Sequence, residues 1–229
     1  MKAQVQLGIL HELGHGTAID IDAALLWYEK AAQRFYSEAH YRLGALYLSG
    51  KKIPQNFHAA VEHLTYAAGR RHLESQRLLA MMYANGQGTE QDLTQAAYWY
   101  REAAADEDAS AQLLLGMAYR TGAGVDKNFA QAARWIRRSA SHGHRDALFA
   151  LGTLYLMGDG VPQNLALSHA LHRFASIDNV MMRSDAERVT PDSSLNPSTL
   201  QEAQQLLHAL NRAPNPIAYI EQAVERMGQ

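Results

Sequence analysis

His11 and His15 flank Glu12 in the string His11-Glu12-Leu13-Gly14-His15. On an unbroken helix this H-E-x-x-H spacing puts two imidazoles on one face to hold zinc, with the glutamate as general base, so the chemistry it would support is metal-assisted hydrolysis. Two features argue against that chemistry. The positions three and six residues beyond His15 are Ala18 and Ile21, so a third histidine is missing, and a carboxylate ligand could come only from Glu29 or Glu38. The surrounding sequence also ends the helix at Gly14, as developed below, and His15 then falls in a turn away from His11. The string is expected to be coincidence, with no metal, no cofactor and no catalytic set. No phosphate-binding glycine loop and no Gly-x-Ser-x-Gly elbow occurs. Asp106-Glu107-Asp108 reads as a solvated connector, and Arg134, Arg137, Arg138, His142, His144 and Arg145 read as a charged outer face.

Composition narrows the remaining classes. The chain has 229 residues, 47% of them hydrophobic and 19% charged, which is enough to bury a core and too apolar for disorder. Its 21 basic and 23 acidic side chains give a net charge of −2, with no electrostatic footprint for nucleic acid or an anionic membrane. With no cysteine there is no disulfide framework and no thiolate nucleophile. No apolar run approaches a membrane span, and Met1-Lys2-Ala3-Gln4 leads directly into patterned sequence. The expected location is cytoplasmic, or periplasmic if a leader has been removed.

The elements that position these residues follow from an internal repeat. The chain matches itself at an offset of 36 residues, without insertions, over residues 3–182. One column reads Leu7, Leu43, Leu79, Leu115, Leu151, and the next Gly8, Gly44, Ala80, Gly116, Gly152. Further columns are His11, Tyr47, Tyr83, Tyr119, Tyr155; then Gly14, Gly50, Gly86, Gly122, Gly158; then Asp20, Asn56, Asp92, Asn128, Asn164. Trp27, His63, Trp99, Trp135 and Leu171 follow. Ala111, Leu115, Ala118, Tyr119 and Gly122 recur at helical spacing and predict a first helix, A, ended by a glycine free to take φ > 0. The Asp or Asn column predicts the N-cap of a second helix, B, which carries Ala132, Trp135, Ile136 and Ala140 on one face. Each repeat is therefore a helical hairpin, and a repeat of this period stacks into an array because one unit cannot bury its apolar face alone.

The pattern Ala-x-x-x-Leu-Gly-x-x-Tyr-x-x-Gly-x-Gly, followed by Asp or Asn, Ala, Trp-Tyr and Ala-Ala, resembles the Sel1-like repeat, a bacterial family among others. It is clearest from Ala111 to Ala140; Lys52, His63 and Leu171 depart from it. The resemblance implies an all-α, right-handed α-solenoid of five helix-turn-helix repeats similar to tetratricopeptide arrays, with boundaries at 3–38, 39–74, 75–110, 111–146 and 147–182. It also implies a non-enzymatic scaffold for protein complexes. Residues 183–229 differ in kind: Arg183 to Leu195 reads as a polar linker, and two capping helices follow, opened by Asn196-Pro197 and Asn215-Pro216. Their apolar stripes are Leu200, Ala203, Leu207, Leu210 and Ile217, Ile220, Val224, Met227.

The third, seventh and tenth positions of each helix A point away from helix B and are expected to line an inner groove. Its partner-binding candidates are Glu12, Tyr41, Leu48, Arg77, Met81, Leu113, Met117, Arg120, Phe149 and Leu156. An apolar stripe with central methionines and flanking arginines suits an amphipathic helix or an extended peptide of another protein. Exposed Tyr41 and Phe149 would suit a carbohydrate or cell-wall ligand instead. The first repeat has no capping element before it, so pairing with a second copy of the chain through that repeat is a further expectation.

Overall fold

The computed structural model describes residues 1–227. Their order is α1 (Lys2–Leu13), α2 (Ile21–Ala32), α3 (Ser37–Ser49), α4 (Phe57–Ala68), α5 (Leu73–Asn85), α6 (Leu93–Ala105), α7 (Ala109–Thr121), α8 (Phe129–Ser141), α9 (Arg145–Met157), α10 (Leu165–Ala175), α11 (Val180–Val189), α12 (Pro197–Arg212) and α13 (Pro216–Met227), with one 3-10 turn at Asp192–Ser194. No strand occurs among the described residues, and no helix there is long and apolar enough to cross a membrane. The chain divides into two compact units, Met1–Asp106 with three hairpins and Glu107–Gln229 with two hairpins and the C-terminal helices.

One turn chemistry builds all five hairpins. Each A helix stops at a glycine in the left-handed conformation, Gly14, Gly50, Gly86, Gly122 and Gly158, with φ between 62° and 82°. Each B helix opens on an Asp or Asn whose carboxylate or amide oxygen accepts a backbone N–H from the first turn. The backbone N–H of that cap donates to the carbonyl of the tyrosine column, at 3.1 Å for Asn56 to Tyr47 and 2.8 Å for Asn128 to Tyr119. In the first repeat, Asp20 makes the same bond to His11 at 2.9 Å. The turn thus depends on backbone groups and survives the loss of the tyrosine.

Two seams then bury the helices. Inside a hairpin, the glycine of helix A lets a large residue of helix B lie against its backbone. A Cβ on Gly44 would meet Leu64 at 2.7 Å, on Gly116 Ile136 at 2.6 Å and on Gly152 His172 at 2.8 Å, while Gly8 lies against Tyr28. Between repeats of one unit, the Leu column inserts into the preceding B helix. Leu43 packs with Ala24, Tyr28 and Ala31 of α2, and Leu79 with Ala60, Leu64 and Ala68 of α4. In the C-terminal unit, Leu151 packs with Ala133, Ile136 and Ala140 of α8. Beside the seam, His40 Nε2 and Gln76 Nε2 donate to the carbonyls of Ala32 and Ala68, at 3.3 and 3.4 Å.

The C-terminal segment departs from expectation. Residues 183–195, expected as a linker, belong largely to α11, which is capped by Asn179, buries Ala186 and ends before Pro191. The helix is set by contacts distant in sequence. His169 Nδ1–H donates to the Thr190 carbonyl at 3.0 Å, and His172, fully buried, bonds Thr153 and Thr190 through its two ring nitrogens at 3.2 Å. The Thr153 and Thr190 hydroxyls also reach the carbonyls one turn back, those of Phe149 and Ala186, at 3.2 and 3.3 Å, so both compete for the single N–H of a neutral ring. That neutral ring fits its pKa, which burial pushes down to about 4. Helix α12 closes α10 with Ala203, Leu206 and Leu210, and α13 contributes buried Ile217 and Ile220. The side chains of Val224 and Met227 lie outside the described residues.

Candidate functional site

The histidine string does not assemble a metal centre. Helix α1 ends at Leu13, Gly14 is left-handed with φ 72°, and exposed His15 sits beyond it, its backbone N–H donating to Leu10 at 3.1 Å. Glu12 is engaged elsewhere. It accepts the Tyr28 hydroxyl at 2.7 Å and Lys52 Nζ at 2.9 Å. Burial raises its pKa, but these two donors outweigh burial and hold the carboxyl below the usual carboxylate range. Burial and the same carboxylate push the Tyr28 hydroxyl above its ordinary value. Glu12 is thereby fixed as an anion tying α1 to α2 and to the turn after α3. Among the described residues no group of three or more His, Asp or Glu side chains is placed to hold a metal ion.

The ten candidates of the A helices are all half-buried. In the N-terminal unit, Tyr41 and Leu48 rest on a core of Ala60, Leu64, Leu79 and Met82. Tyr41 stacks on His72, with ring centres 4.5 Å apart. The positive charge of Arg77 acts on the hydroxyls of both Tyr41 and Tyr100, and Met81 lies one helical turn further along α5. Glu12 and Tyr41 come together at one cleft of about 140 Å³, which is also lined by Arg42, Ala45, Ser49, Lys51 and Lys52. Arg42 is paired with Glu38 at 2.8 Å and Lys52 with Glu12, which leaves Lys51 as an exposed cation on the rim. The wheel that selects Tyr41 and Leu48 passes over Arg42, Lys51 and Lys52. The one sequence signal for them is Lys52, standing where the other repeats carry glycine.

In the C-terminal unit, Leu113, Met117 and Phe149 pack against the core, and Leu156 is half-buried. Arg120 Nε pairs with Asp159 at 3.0 Å, so this expected anchor for a partner is spent inside the unit. Phe149 packs against the His172 ring at a tilt of 41°, with ring centres 4.4 Å apart. Tyr41 and Phe149 are thus each half-buried against a histidine ring. Phe149 also floors a cleft of about 250 Å³ with Asp146, Asn179, Met181, Met182 and Asp185. Four of those six residues lie on α11 or at its N-cap, a helix that the repeat register does not predict. The two clefts differ in sign: cations dominate the first and carboxylates the second.

The Sel1 repeat pattern matches residues 2–34, 37–72, 73–108, 109–144 and 145–176. Among solved structures, c5321, a protective antigen of uropathogenic Escherichia coli displaying an SLR fold, superposes with a TM-score of 0.81 at 30% identity, over 96% of this chain and 48% of that one. The chain thus spans about half the length of that relative. A Sel1 repeat protein from Oxalobacter formigenes gives a TM-score of 0.78 at 25% identity, over 90% of this chain and 86% of that one. A Sel1 repeat protein from Klebsiella pneumoniae, at 20% identity and a TM-score of 0.51, shares the fold. Comparison with curated proteins gives no match. With the repeat pattern carried by five successive segments, the chain belongs to the Sel1 repeat family.

Proposed function

We propose that the chain is a non-enzymatic adaptor that captures other proteins on the free side of its A helices, at the two clefts described above. Sel1 repeat proteins commonly serve as scaffolds for protein interaction. The observation that carries the reading here is the state of the ten candidate positions: neither sealed in the core nor open to solvent, they sit among apolar floors with charged rims. Such a surface supplies apolar area with charge placed for selectivity. The cleft of Tyr41 and Lys51 suits an acidic peptide with an apolar anchor. The cleft of Phe149, Met181 and Asp185 suits a basic one, methionine adapting to its shape.

Selection of displayed peptides against the full chain tests this directly. Acidic-apolar and basic-apolar sequences are expected to emerge as separate groups. Ser49→Glu with Lys51→Glu should weaken the acidic group by about tenfold or more, and Asp146→Lys with Met181→Lys the basic group. Enriched peptides insensitive to both pairs would contradict the reading.

A further inference from the structure

His63 stands in α4 where the repeat signature carries tryptophan, the residue that Trp27, Trp99 and Trp135 supply in the first, third and fourth copies. Two seams of the N-terminal unit show what the exchange does. One repeat further on, Trp99 of α6 packs on the cluster that contains Ala68 of α4 and Leu79 of α5. The counterparts of Trp99, Ala68 and Leu79, 36 residues earlier, are His63, Ala32 and Leu43. Here the ring is an imidazole, smaller than an indole, and the three residues line a cleft of about 270 Å³ together with Glu29, Gln33 and His40. A cavity of about 150 Å³ already admits a benzene ring.

The polar groups of this cleft are held in place, and they accept. His40 Nε2 lies 3.3 Å from the Ala32 carbonyl, which can only accept, so Nε2 carries the proton. Burial lowers the pKa of both His40 and His63 below the usual histidine value, so at neutral pH each ring is uncharged and His40 Nδ1 has a lone pair. His63 Nδ1, 3.0 Å away, donates to it. That leaves His63 Nε2 as an acceptor that no described residue satisfies. Glu29 supplies a second acceptor, its carboxylate close enough to act on the His63 ring. Stacking steadies both imidazoles: Tyr66 lies on His40 with ring centres 3.9 Å apart, and Tyr47 lies parallel to His63 at 6.0 Å.

We propose that this cleft binds an indole-type ring, its face on Ala32 and Leu43 and its N–H donated to His63 Nε2 or to Glu29. The ligand is the group that the signature places on this seam one repeat later, supplied from outside the chain. An aliphatic occupant would leave the two acceptors without a donor, and a carboxylate would be repelled by Glu29. A partner's tryptophan side chain and a free small molecule present the same face and the same donor. The cleft shares no residue with the two clefts of the A helices.

The probes are indole, N-acetyltryptophanamide and N-methylindole, titrated into the full-length chain and followed through the NMR signals of the histidine ring protons. At least one of the first two is expected to saturate with a Kd below about 1 mM. Tighter binding of the amide assigns the site to a partner's tryptophan, and tighter binding of indole to a free small molecule. N-methylindole keeps the ring without the donor and should bind about tenfold more weakly than indole. His63→Trp restores the signature side chain and fills the cleft from within. It should abolish binding of all three probes while helicity is kept and the melting temperature is equal or higher. Saturation by none of the probes, equal affinity for indole and N-methylindole, or undiminished binding to the His63→Trp variant would overturn the proposal.

Discussion

The first and last hairpins use one repeat in opposite circumstances. In α9, Ala147, Leu151 and Leu154 are sealed by α8, and the partner helix α10 is closed in turn by α11 and α12. In α1, the corresponding Ala3, Leu7 and Leu10 face solvent. The seam inside the hairpin is nonetheless made at both ends, Gly8 against Tyr28 and Gly152 against His172. The repeat signature therefore encodes two separable interfaces. One is local and forms wherever a hairpin forms; the other is completed only by a neighbour. Exposure at Leu7 and Leu10 leaves unburied apolar surface of the kind worth about 1.5–3 kcal/mol for each fully buried leucine.

Four measurements can break or sharpen this contrast, beginning with the largest effect. Leu151→Ala should destabilise the C-terminal unit by about 3 kcal/mol, measured by urea unfolding, because a fully buried leucine leaves a cavity. Acidification should act next. The folded-state pKa of His172, about 4, lies below its ordinary 6.5, so the unfolded chain binds the extra proton first and stability falls as pH drops from about 6.5 towards 4. Between pH 7 and pH 4.5 the loss attributable to this ring should be about 2 kcal/mol, and His172→Leu, matching Leu64 in the second repeat, should remove it. An unchanged pH profile in that variant would refute the assignment.

Gly8→Ala and Gly152→Ala should each cost about 1–3 kcal/mol by forcing the A and B helices apart. A neutral Gly8→Ala would mean that α1 is docked more loosely than α9. The smallest effect belongs to Leu7→Ser, expected below about 1 kcal/mol because the side chain is already partly solvated. A loss comparable to that of Leu151→Ala would show that the face of α1 is covered in solution.

The hairpins were legible because caps and terminating glycines are local devices. Asp20, Asn56, Asp92, Asn128 and Asn164 announce each B helix, and Gly14 disposes of the zinc string before any coordinate is known. Non-local effects were not legible. Helix α11 buries only Ala186 and is fixed by His169 and His172 reaching Thr190 from another helix, contacts that leave no periodic trace. The connectors between repeats are a second case: Phe35, Arg71 and Glu107 adopt positive φ near 61° to 67°, and of that column only Gly143 hints at it. At the candidate site, periodicity selects half-buried positions but not what each side chain does. Glu12 and Arg120 were read as groove charges, and the structure pairs them with Lys52 and Asp159. The rim cation Lys51 lies in a turn, where a helical wheel assigns nothing.

The most direct test of the adaptor reading is affinity capture from a lysate of the source cells, compared by quantitative mass spectrometry between the native chain, the Ser49→Glu/Lys51→Glu variant and the Asp146→Lys/Met181→Lys variant, with unchanged helicity and melting as controls. The account predicts proteins retained by the native chain and lost selectively by one variant or the other. An identical set of retained proteins in all three samples would contradict it.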